Sequence, residues 1–407
     1  MKILMLGWEL PPYNSGGLGV ACQQMCQALS KKDVAIEFVL PYAAAAPSDF
    51  MTITPACPSG VDEIMATLTG AYDSHKYVFS DGHEEWLDGF SQQQLYELAV
   101  ERLAKSREFD IIHAHDWLTF RAGLRAKQVS GQPLIVHVHS IEADRCGQIG
   151  GGNPLVREIE SLGLLMADQI VAVSQHTKDA IVREYAIPET KIKVVHNGID
   201  RAAMAPLDAS NSYQYLTAMK NQGYQIVTNV GRLTIQKGLP NLLRAAREVI
   251  ECRPKTIFLI VGAGEQYYEL IDQAANLGIA RNVIFTGFQR GKNWRDSFAI
   301  ADLFVMPSVS EPFGLTPLEA LHYGTPSLIS HQSGVSEALQ NCLKVDFWDI
   351  DEMANQIVGV LQSYGLRREL TRNAERELDR FGWDESVDKL LAVYQQHKAG
   401  RLAELAA

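Results

Sequence analysis

Short runs of Ile, Val and Leu alternate with helical patterns along almost the whole chain, and this alternation limits the possible folds most strongly. Such runs, bounded by turns and separated by helices, are typical of parallel sheets covered by helices on both faces. We therefore predict an α/β fold with two doubly wound, Rossmann-like parallel sheets that face a central cleft. The predicted strands are residues 3–8, 36–40, 111–114, 134–139, 170–173, 192–196, 226–230, 257–261, 283–285, 303–306 and 327–329.

The length of the chain predicts two domains. A chain of 407 residues exceeds one ordinary hydrophobic core. Residues 200–212 lack a clear period and contain Pro, Ser and Asn, which favours a linker there. We predict an N-terminal domain at residues 1–200 and a C-terminal domain at residues 201–380. A C-terminal helix within residues 381–407 is predicted to pack back on the N-terminal domain.

The acidic composition argues against several classes of partner. Lys and Arg number 37 against 48 Asp and Glu, for a net charge of −11. This balance disfavours nucleic acid and strong attraction to anionic lipid. We find no apolar run of about 18 residues, so no membrane-spanning helix is predicted. The apolar start of the chain is too short for a signal peptide, and the six cysteines show no metal-binding spacing, so we expect a cytoplasmic protein.

Two glutamates flank a predicted helix start within residues 310–320. Thr316 is the predicted N-cap, Pro317 suits the first helical position, and Glu319 falls where a capping-box acid belongs. The uncapped N–H groups of a helix start favour anions. This segment can therefore hold a phosphate while Glu311 and Glu319 accept hydrogen bonds from hydroxyls. The alternative is that Glu319 only caps the helix and Glu311 is only a loop acid.

Glycine-rich loops follow several predicted strands. Gly16 and Gly17 come after the first strand, and adjacent glycines let a ligand approach the backbone closely. After the strand at residues 226–230, Arg232 and Lys237 lie on a loop bounded by glycines, from which both can reach one diphosphate. Gly264 ends a Gly-x-Gly sequence at the next strand end. Plain turns and a solvated loop remain the alternatives, and the dinucleotide fingerprint G-x-G-x-x-G is absent.

Four histidines lie at two neighbouring strand ends in the first half. His113 and His115 end one predicted strand, and His137 and His139 end the next. This placement favours a polar cleft, although single histidines are more often ordinary hydrogen-bonding residues. The spacing does not support a zinc site, because we find no carboxylate–histidine pattern on a helix.

Taken together, these motifs resemble those of family 4 glycosyltransferases with the GT-B fold, close to bacterial glycogen and starch synthases. The resemblance covers nearly the whole chain. Its most specific element is the pair Glu311 and Glu319, with seven residues between them, within the sequence that begins Ser-Glu-Pro-Phe-Gly-Leu. The supporting elements are residues 16–17, 115–117, 195–200, 231–238 and 261–264.

The resemblance implies transfer of a sugar, with retention at the anomeric carbon, from a nucleoside diphosphate sugar bound mainly by the C-terminal domain. The N-terminal domain would bind a carbohydrate acceptor. Glu319 would bind the ribose hydroxyls, Arg232 and Lys237 the diphosphate, and Glu311 the sugar. The implied catalytic residues are Glu311, His139, Arg232 and Lys237. The implied donor-binding residues are Gly16, Gly17, Gly231, Gly264, Phe313, Gly314, Leu315, Thr316 and Glu319. The acceptor-binding candidates are Glu9, Asp116, Asp144 and Arg145.

No metal or other cofactor is expected. Charge develops on the leaving phosphate, and Arg232, Lys237 and the helix start at Thr316 can stabilise it. The sequence Asp349-Ile350-Asp351 matches the metal-binding Asp-x-Asp of another transferase fold. A helix follows it directly, so we interpret Asp349 as an N-cap.

The donor and acceptor are left open by one departure from the synthase pattern. Bacterial glycogen synthases usually carry a lysine, associated with ADP-glucose, where this chain has Asn14. ADP-, UDP- and GDP-sugars are therefore all possible donors. A glucosyl transfer to a glucan is favoured; the alternatives are a small acceptor, as in sucrose-phosphate or trehalose synthesis, and a cell-envelope polysaccharide. A glucan phosphorylase, a sugar-nucleotide epimerase and a non-enzymatic binding protein are the competing classes.

Overall fold

Two parallel β-sheets organise the chain, one in each of two units. This computed structural model describes residues 1–14, 16–42, 48–56, 61–65, 75–79, 81–148 and 150–406. The first unit comprises Met1–Glu142, Gly152–Gly198 and Trp383–Ala407, and the second comprises Ala143–Gly151 and Ile199–Gly382.

The strands are short, as expected where helices connect them. They are β1 Lys2–Leu6, β2 Ala35–Leu40, β3 Thr52–Pro55, β4 Val61–Met65, β5 His75–Phe79, β6 Glu84–Leu87, β7 Ile111–His115, β8 Leu134–Val138, β9 Gln169–Ala172, β10 Ile192–Val194, β11 Gln225–Val230, β12 Thr256–Val261, β13 Val283–Phe285, β14 Leu303–Met306, β15 Ser327–Ser330 and β16 Leu343–Val345.

The α-helices follow most of the strands, and none of those described combines the length and apolar character needed to cross a bilayer. They are α1 Gly17–Ser30, α2 Gly89–Ser106, α3 Trp117–Ser130, α4 Glu142–Cys146, α5 Pro154–Met166, α6 Gln175–Tyr185, α7 Gln214–Asn221, α8 Leu239–Cys252, α9 Tyr267–Asn276, α10 Gly291–Ala299, α11 Thr316–His322, α12 Val335–Ala338, α13 Ile350–Gln362, α14 Tyr364–Leu378 and α15 Trp383–Ala406.

In the first unit, the main sheet has the strand order β10-β9-β8-β7-β1-β2-β3, and the neighbouring strands pair in parallel. Strands β1, β7 and β8 are almost completely buried, because helices cover both faces of the sheet. The order reverses between β1 and β7, which makes the carboxyl ends of these strands the place where such sheets bind ligands.

In the second unit, the sheet has the order β13-β12-β11-β14-β15-β16, again parallel throughout. Its apolar core includes Leu242, Leu243, Ala246 and Val249 on one face of the amphipathic helix α8. The strand order reverses between β11 and β14. Loops after these two strands therefore meet at the edge where a ligand is expected.

The predicted fold class is confirmed, with two parallel α/β sheets. The predicted strands agree with the observed ones to within two residues at each end, because most of them are short, buried and mainly apolar runs. Three features were not predicted: β3, β16 and the antiparallel three-stranded sheet β4-β5-β6. Strand β6, with the sequence Glu-Glu-Trp-Leu, is largely exposed, so it lacks the apolar run on which the prediction depended.

Candidate functional site

A loop after β11 brings Lys237 to the point where the strand order of the second sheet reverses. Residues Ile235–Lys237 form a short 3-10 helix, and Gly238, with a φ of 65°, is the N-cap of α8. A Cβ on residue 238 would lie 2.0 Å from the carbonyl oxygen of Pro307, so only glycine fits beside the chain that follows β14. The N–H of Val309 donates to the carbonyl of Gln236 at 2.8 Å and joins the two loops.

Lys237 and Glu311 form an ion pair at this junction. The Nζ of Lys237 donates to Oε2 of Glu311 at 2.5 Å, and the two side chains are 20% and 11% exposed. The buried Ser308 donates to the same Oε2 at 3.1 Å. Backbone hydrogen bonds to Gln332 and Gly334 hold both sides of residue 311. The carboxylate therefore has a fixed position, and its second oxygen remains for another donor.

Arg232 lies at the start of the same loop and is partly exposed. Among the described residues we find no hydrogen bond or ion pair made by its guanidinium group. The charge of Lys237 is neutralised by Glu311, whereas Arg232, five residues earlier on the same loop, keeps an uncompensated positive charge. An anionic ligand at this edge of the sheet would therefore find one unpaired cation and one paired cation.

The glycine-rich loop after β12 packs directly on the loop that carries Arg232. Leu233 donates its N–H to the carbonyl of Ala263 at 2.9 Å, and Gln266 donates to the carbonyl of Leu233 at 3.0 Å. A Cβ on Gly264 would lie 2.3 Å from the oxygen of Leu233, whereas a Cβ on Gly231 would meet nothing within 4 Å. Gly264 thus permits backbone contact between the loops, and Gly231 leaves open space at the end of β11.

The helix that carries Glu319 begins one residue earlier than predicted. Thr316 is the first residue of α11 and not its N-cap, because Leu315 already has helical φ and ψ of −78° and −32° and takes the cap position. Phe313 is buried and Gly314 has a φ of 100°. In the described part of the chain, the N–H groups of residues 314–316 donate no hydrogen bond. They remain available to an anion.

The pKa of Glu319 is raised from 4.5 to about 7 by burial. Its side chain lies in the first turn of α11 and keeps some exposure to solvent. A carboxyl group with this pKa is only partly ionised near neutral pH. Ligand hydroxyls that donate to it would favour the ionised form.

Asp144 and Arg145 lie on α4, and both are counted with the second unit. The hydroxyl of Ser310 donates to Oδ1 of Asp144 at 2.5 Å, so this buried carboxylate contacts the residue before Glu311. Arg145 is partly exposed. Ser308 and Ser310 were missed by sequence reasoning. Only their position could have indicated them, because they are small polar residues that follow the buried strand β14.

In the first unit, Gly16, Gly17 and Glu9 lie together after β1. Gly17 begins α1 with Gly16 as its N-cap, and the N–H of Gly19 donates to Oε1 of Glu9 at 3.2 Å. Glu9 is buried, with 3% of its surface exposed. Its carboxylate is therefore engaged with the first turn of the helix.

Asp116 and His139 lie at the carboxyl ends of β7 and β8. Asp116 has an unusual φ of 56°, and its Oδ1 accepts hydrogen bonds from the N–H groups of His139, at 2.6 Å, and Ser140, at 3.3 Å. Its carboxylate is buried and holds the backbone that carries His139. The imidazole of His139 stays partly exposed, and burial lowers its pKa to about 3.

Four imidazoles, those of His113, His115, His137 and His139, line one face of β7 and β8. The rings of His113 and His137 are stacked with an interplanar angle of 2°, and those of His137 and His139 with an angle of 21°. Burial lowers the pKa of His113, His115 and His137 well below the usual value. The cluster is therefore neutral.

Two groups in this cluster have ligand atoms close enough for a metal ion: Cys22 with His115 and His139, and His113 with His115 and His137. Metal ligation requires that the in-plane lone pairs converge on one point. In the second group, the stacked rings of His113 and His137 direct these lone pairs side by side. In the first group, burial raises the pKa of the Cys22 thiol, which disfavours the thiolate. Cys57 lies outside the described residues. Metal-independent chemistry stays a prediction.

Two family models match the chain. The model for glycosyl transferases group 1 matches residues 218–377, and the model for glycosyltransferase family 4 matches residues 15–203. The chain belongs to glycosyltransferase family 4.

Asp349, which caps α13 by accepting from the N–H of Glu352, has the structural role predicted for it.

Curated relatives carry several different transferase names. The chain is 28% identical to an uncharacterized glycosyltransferase of Methanocaldococcus jannaschii, with 97% of this chain and 98% of that protein covered. It is 28% identical to the glycogen synthase of Mycobacterium tuberculosis, over 98% of this chain and 96% of that protein. It is 30% identical to a D-inositol 3-phosphate glycosyltransferase of Segniliparus rotundus, over 73% of this chain and 68% of that protein.

Solved structures confirm the fold. Sucrose-phosphate synthase from Thermosynechococcus elongatus matches with a TM-score of 0.76 at 18% identity, covering 98% of this chain and all (100%) of that chain. Anabaena HepE, solved in complex with UDP-glucose, matches with a TM-score of 0.67 at 20% identity, covering 99% of this chain and 100% of that chain. At these identities the similarity establishes the GT-B fold alone.

Proposed function

We propose that this glycosyltransferase moves a hexosyl group, most simply glucosyl, from a nucleoside diphosphate sugar to a carbohydrate acceptor, with retention at the anomeric carbon. The observation that carries the proposal is the Lys237–Glu311 pair at the reversal point of the second sheet. A fixed cation and a fixed carboxylate at one point suit a ligand that offers both phosphate oxygens and sugar hydroxyls.

The diphosphate would bind to Arg232, Lys237 and the N–H groups of residues 314–316. As the bond to the sugar breaks, negative charge develops on the departing phosphate. Arg232 is unpaired among the described residues, and Lys237 can exchange part of its contact with Glu311 for a phosphate oxygen. These groups supply preorganised positive charge, and removal of one such group typically costs about 10²–10³ in rate. A metal ion is then not required.

The sugar and nucleoside would be oriented by the two glutamates. Glu311 retains an oxygen that can accept from a sugar hydroxyl, and Glu319 would accept from the ribose hydroxyls. His139 of the first unit would contact the transferred sugar. The candidates for donor or acceptor contacts are Glu9, Gly16, Gly17 and Asp116 of the first unit and Asp144 and Arg145 of the second. The buried carboxylates of Glu9, Asp116 and Asp144 accept hydrogen bonds from other residues of the chain. These three residues can therefore act by positioning neighbouring groups as well as by contacting a ligand.

A glucan acceptor is supported by the glycogen synthase relative. The inositol phosphate relative supports a small acceptor instead, and a cell-envelope polysaccharide is a further alternative.

The test is thermal denaturation with ADP-, UDP- and GDP-glucose in the presence of EDTA, followed by incubation with maltooligosaccharides, inositol phosphate and fructose 6-phosphate. A ligand that binds the folded state raises its melting temperature. We expect one donor to stabilise wild type, the shift to shrink in Glu319→Ala, and NMR of the product to show the donor's anomeric configuration. The control is Glu269→Ala, which removes an exposed glutamate from the first turn of α9. Stabilisation by no nucleotide sugar would contradict the proposal.

A further inference from the structure

A chain of contacts runs from His139 into the core of the first unit. Nε2 of His139 lies 2.9 Å from Nδ1 of His115, and Nε2 of His115 lies 3.0 Å from Sδ of Met5. Met5 is on β1, His115 ends β7 and His139 follows β8, and these three strands are neighbours in the sheet. Met5 and His115 are 0% and 1% exposed. Their geometry is therefore imposed by the core.

The protons in this chain can be placed, because only one arrangement avoids opposed lone pairs. A thioether sulfur can accept a hydrogen bond but cannot donate one. Nε2 of His115 must therefore carry the hydrogen that points to Met5. A neutral imidazole has one N–H, and burial keeps the pKa of His115 far below the usual value. Nδ1 of His115 is then bare, and it accepts the hydrogen carried by Nε2 of His139.

Because Nε2 of His139 carries the single hydrogen of the neutral ring, Nδ1 of His139 has none. Among the described residues we find no hydrogen bond to this nitrogen, and the side chain is partly exposed. A bare ring nitrogen accepts from a hydroxyl but is repelled by the lone pairs of a carboxylate or phosphate oxygen. The backbone of His139 is held separately by Asp116. The contact with His115 holds the ring itself, so the bare Nδ1 can act only as a hydrogen-bond acceptor.

We propose that Met5 and His115 are positioning residues that hold His139 in the tautomer protonated at Nε2, so that its Nδ1 accepts a hydrogen bond from a hydroxyl of the transferred sugar. The tautomer is a property of the free protein. The contact with a sugar hydroxyl rests on the function proposed above.

The first test is nitrogen NMR of the free protein labelled with ¹⁵N-histidine, with the His139 signals assigned by their loss in His139→Gln. Protonated and bare ring nitrogens differ strongly in chemical shift. We expect a bare Nδ1 and a protonated Nε2 for His139. A protonated Nδ1 in wild type would overturn the proposal, whatever the protein transfers.

The second test is Met5→Leu, a volume-conserving change that removes the sulfur acceptor. Its matched control is Met25→Leu at another buried methionine of the first unit, for which we find no hydrogen bond to a histidine in the described part of the chain. We expect a mixture of His139 tautomers in Met5→Leu and an unchanged spectrum in Met25→Leu. With the donor identified by the nucleotide-sugar panel, kcat/KM should fall about two- to tenfold, the worth of one neutral hydrogen bond.

The two proposals fail in different ways. If no nucleotide sugar binds but His139 has the expected tautomer, the transferase proposal fails and the positioning role of Met5 and His115 stands. If Met5→Leu lowers activity while the His139 spectrum does not change, Met5 acts only through packing and the positioning role is wrong.

Discussion

The ammonium group of Lys237 lies 2.5 Å from Oε2 of Glu311, across two loops that leave neighbouring strands of the second sheet. Because the two residues are 74 positions apart in the chain, only the sheet topology brings them together. The pair ties the loop after β11 to the loop after β14. It also leaves Arg232 as the cation with uncompensated charge on the first of these loops.

Replacement of Lys237 by methionine should separate stability from catalysis. The substitution leaves the Glu311 carboxylate with Ser308 but without its cation, so we expect a loss of about 1–3 kcal/mol in the free energy of unfolding. Transferase activity should fall about 10²–10³-fold. Urea denaturation and initial rates measure the two effects.

The double variant Lys237→Met/Glu311→Gln is the informative control for that experiment. It removes both charges, so the free energy of unfolding should recover while activity should not. Lys32→Met breaks an exposed pair with Asp388 and should change neither quantity appreciably. Recovery of activity in the double variant would argue against a catalytic role for either charge.

The raised pKa of Glu319 predicts a pH-dependent stability. Its folded-state pKa of about 7 exceeds the ordinary value of 4.5, so the folded protein binds more protons between these values. The stabilising difference is present below pH 4.5 and is lost as pH rises through 7. Glu319→Gln should therefore be more stable than wild type above pH 7, by about 1–3 kcal/mol after allowance for partial solvent exposure, and no more stable below pH 4.5.

The same carboxylate should make nucleotide-sugar affinity depend on pH. If ribose hydroxyls donate to ionised Glu319, affinity should rise with pH and level off above about 7. Glu319→Gln should remove this dependence and weaken binding about 10- to 100-fold, because a hydrogen bond to a charged group is lost. Calorimetric titration over this pH range measures both. A pH-independent affinity in wild type would rule out this contact.

Two glycines at the ends of β11 and β12 should respond differently to alanine. A Cβ at residue 264 meets the backbone oxygen of Leu233 at 2.3 Å, and backbone cannot yield as a flexible side chain can. We expect Gly264→Ala to cost about 2–4 kcal/mol in unfolding free energy. Gly231→Ala enters open space and should cost less than about 1 kcal/mol.

Ligand binding provides the second measurement for these variants. If the donor approaches the end of β11 closely, Gly231→Ala should weaken nucleotide-sugar binding although the fold is unaffected. Equal thermal stability of the two alanine variants would show that the loops separate more easily than their contacts suggest.

Asp116 is expected to be a structural residue whose loss acts through His139. Asp116→Ala removes the acceptor for the N–H groups of His139 and Ser140, so we expect a loss of about 2–4 kcal/mol in chemical denaturation. Asp116→Asn keeps an oxygen acceptor and tolerates the positive φ, so it should lose less than half as much. Similar losses in the two variants would contradict the hydrogen-bonding role.

The sequence was sufficient to predict much of the fold because buried parallel strands leave continuous apolar runs. It also indicated the loop that carries Arg232 and Lys237, since glycines bound it after such a run. It could not reveal the Lys237–Glu311 contact, which depends on the order of strands in the sheet. The start of α11 was predicted one residue late, because Leu315 takes helical angles directly after Gly314.

Other contacts of the site had weaker signals in the sequence. Met5 is one of several apolar residues in β1, and nothing in its neighbours indicates that its sulfur meets His115. The roles of Glu9 and Asp144 were likewise hidden, since a carboxylate that accepts from Gly19 or Ser310 looks the same in sequence as one that meets solvent.

The stacked imidazoles of β7 and β8 behave as permanent dipoles and not as buffers. Burial keeps all four uncharged far below neutrality. So many histidines near one sheet edge would ordinarily predict a bell-shaped dependence of reaction rate on pH, with one inflection from the titration of an imidazole. Burial instead raises the pKa of the Glu319 carboxyl group to about 7, so we expect Glu319 to be the site residue that titrates near neutral pH. We therefore expect these four histidines to add no inflection near neutral pH to the pH dependence of the rate.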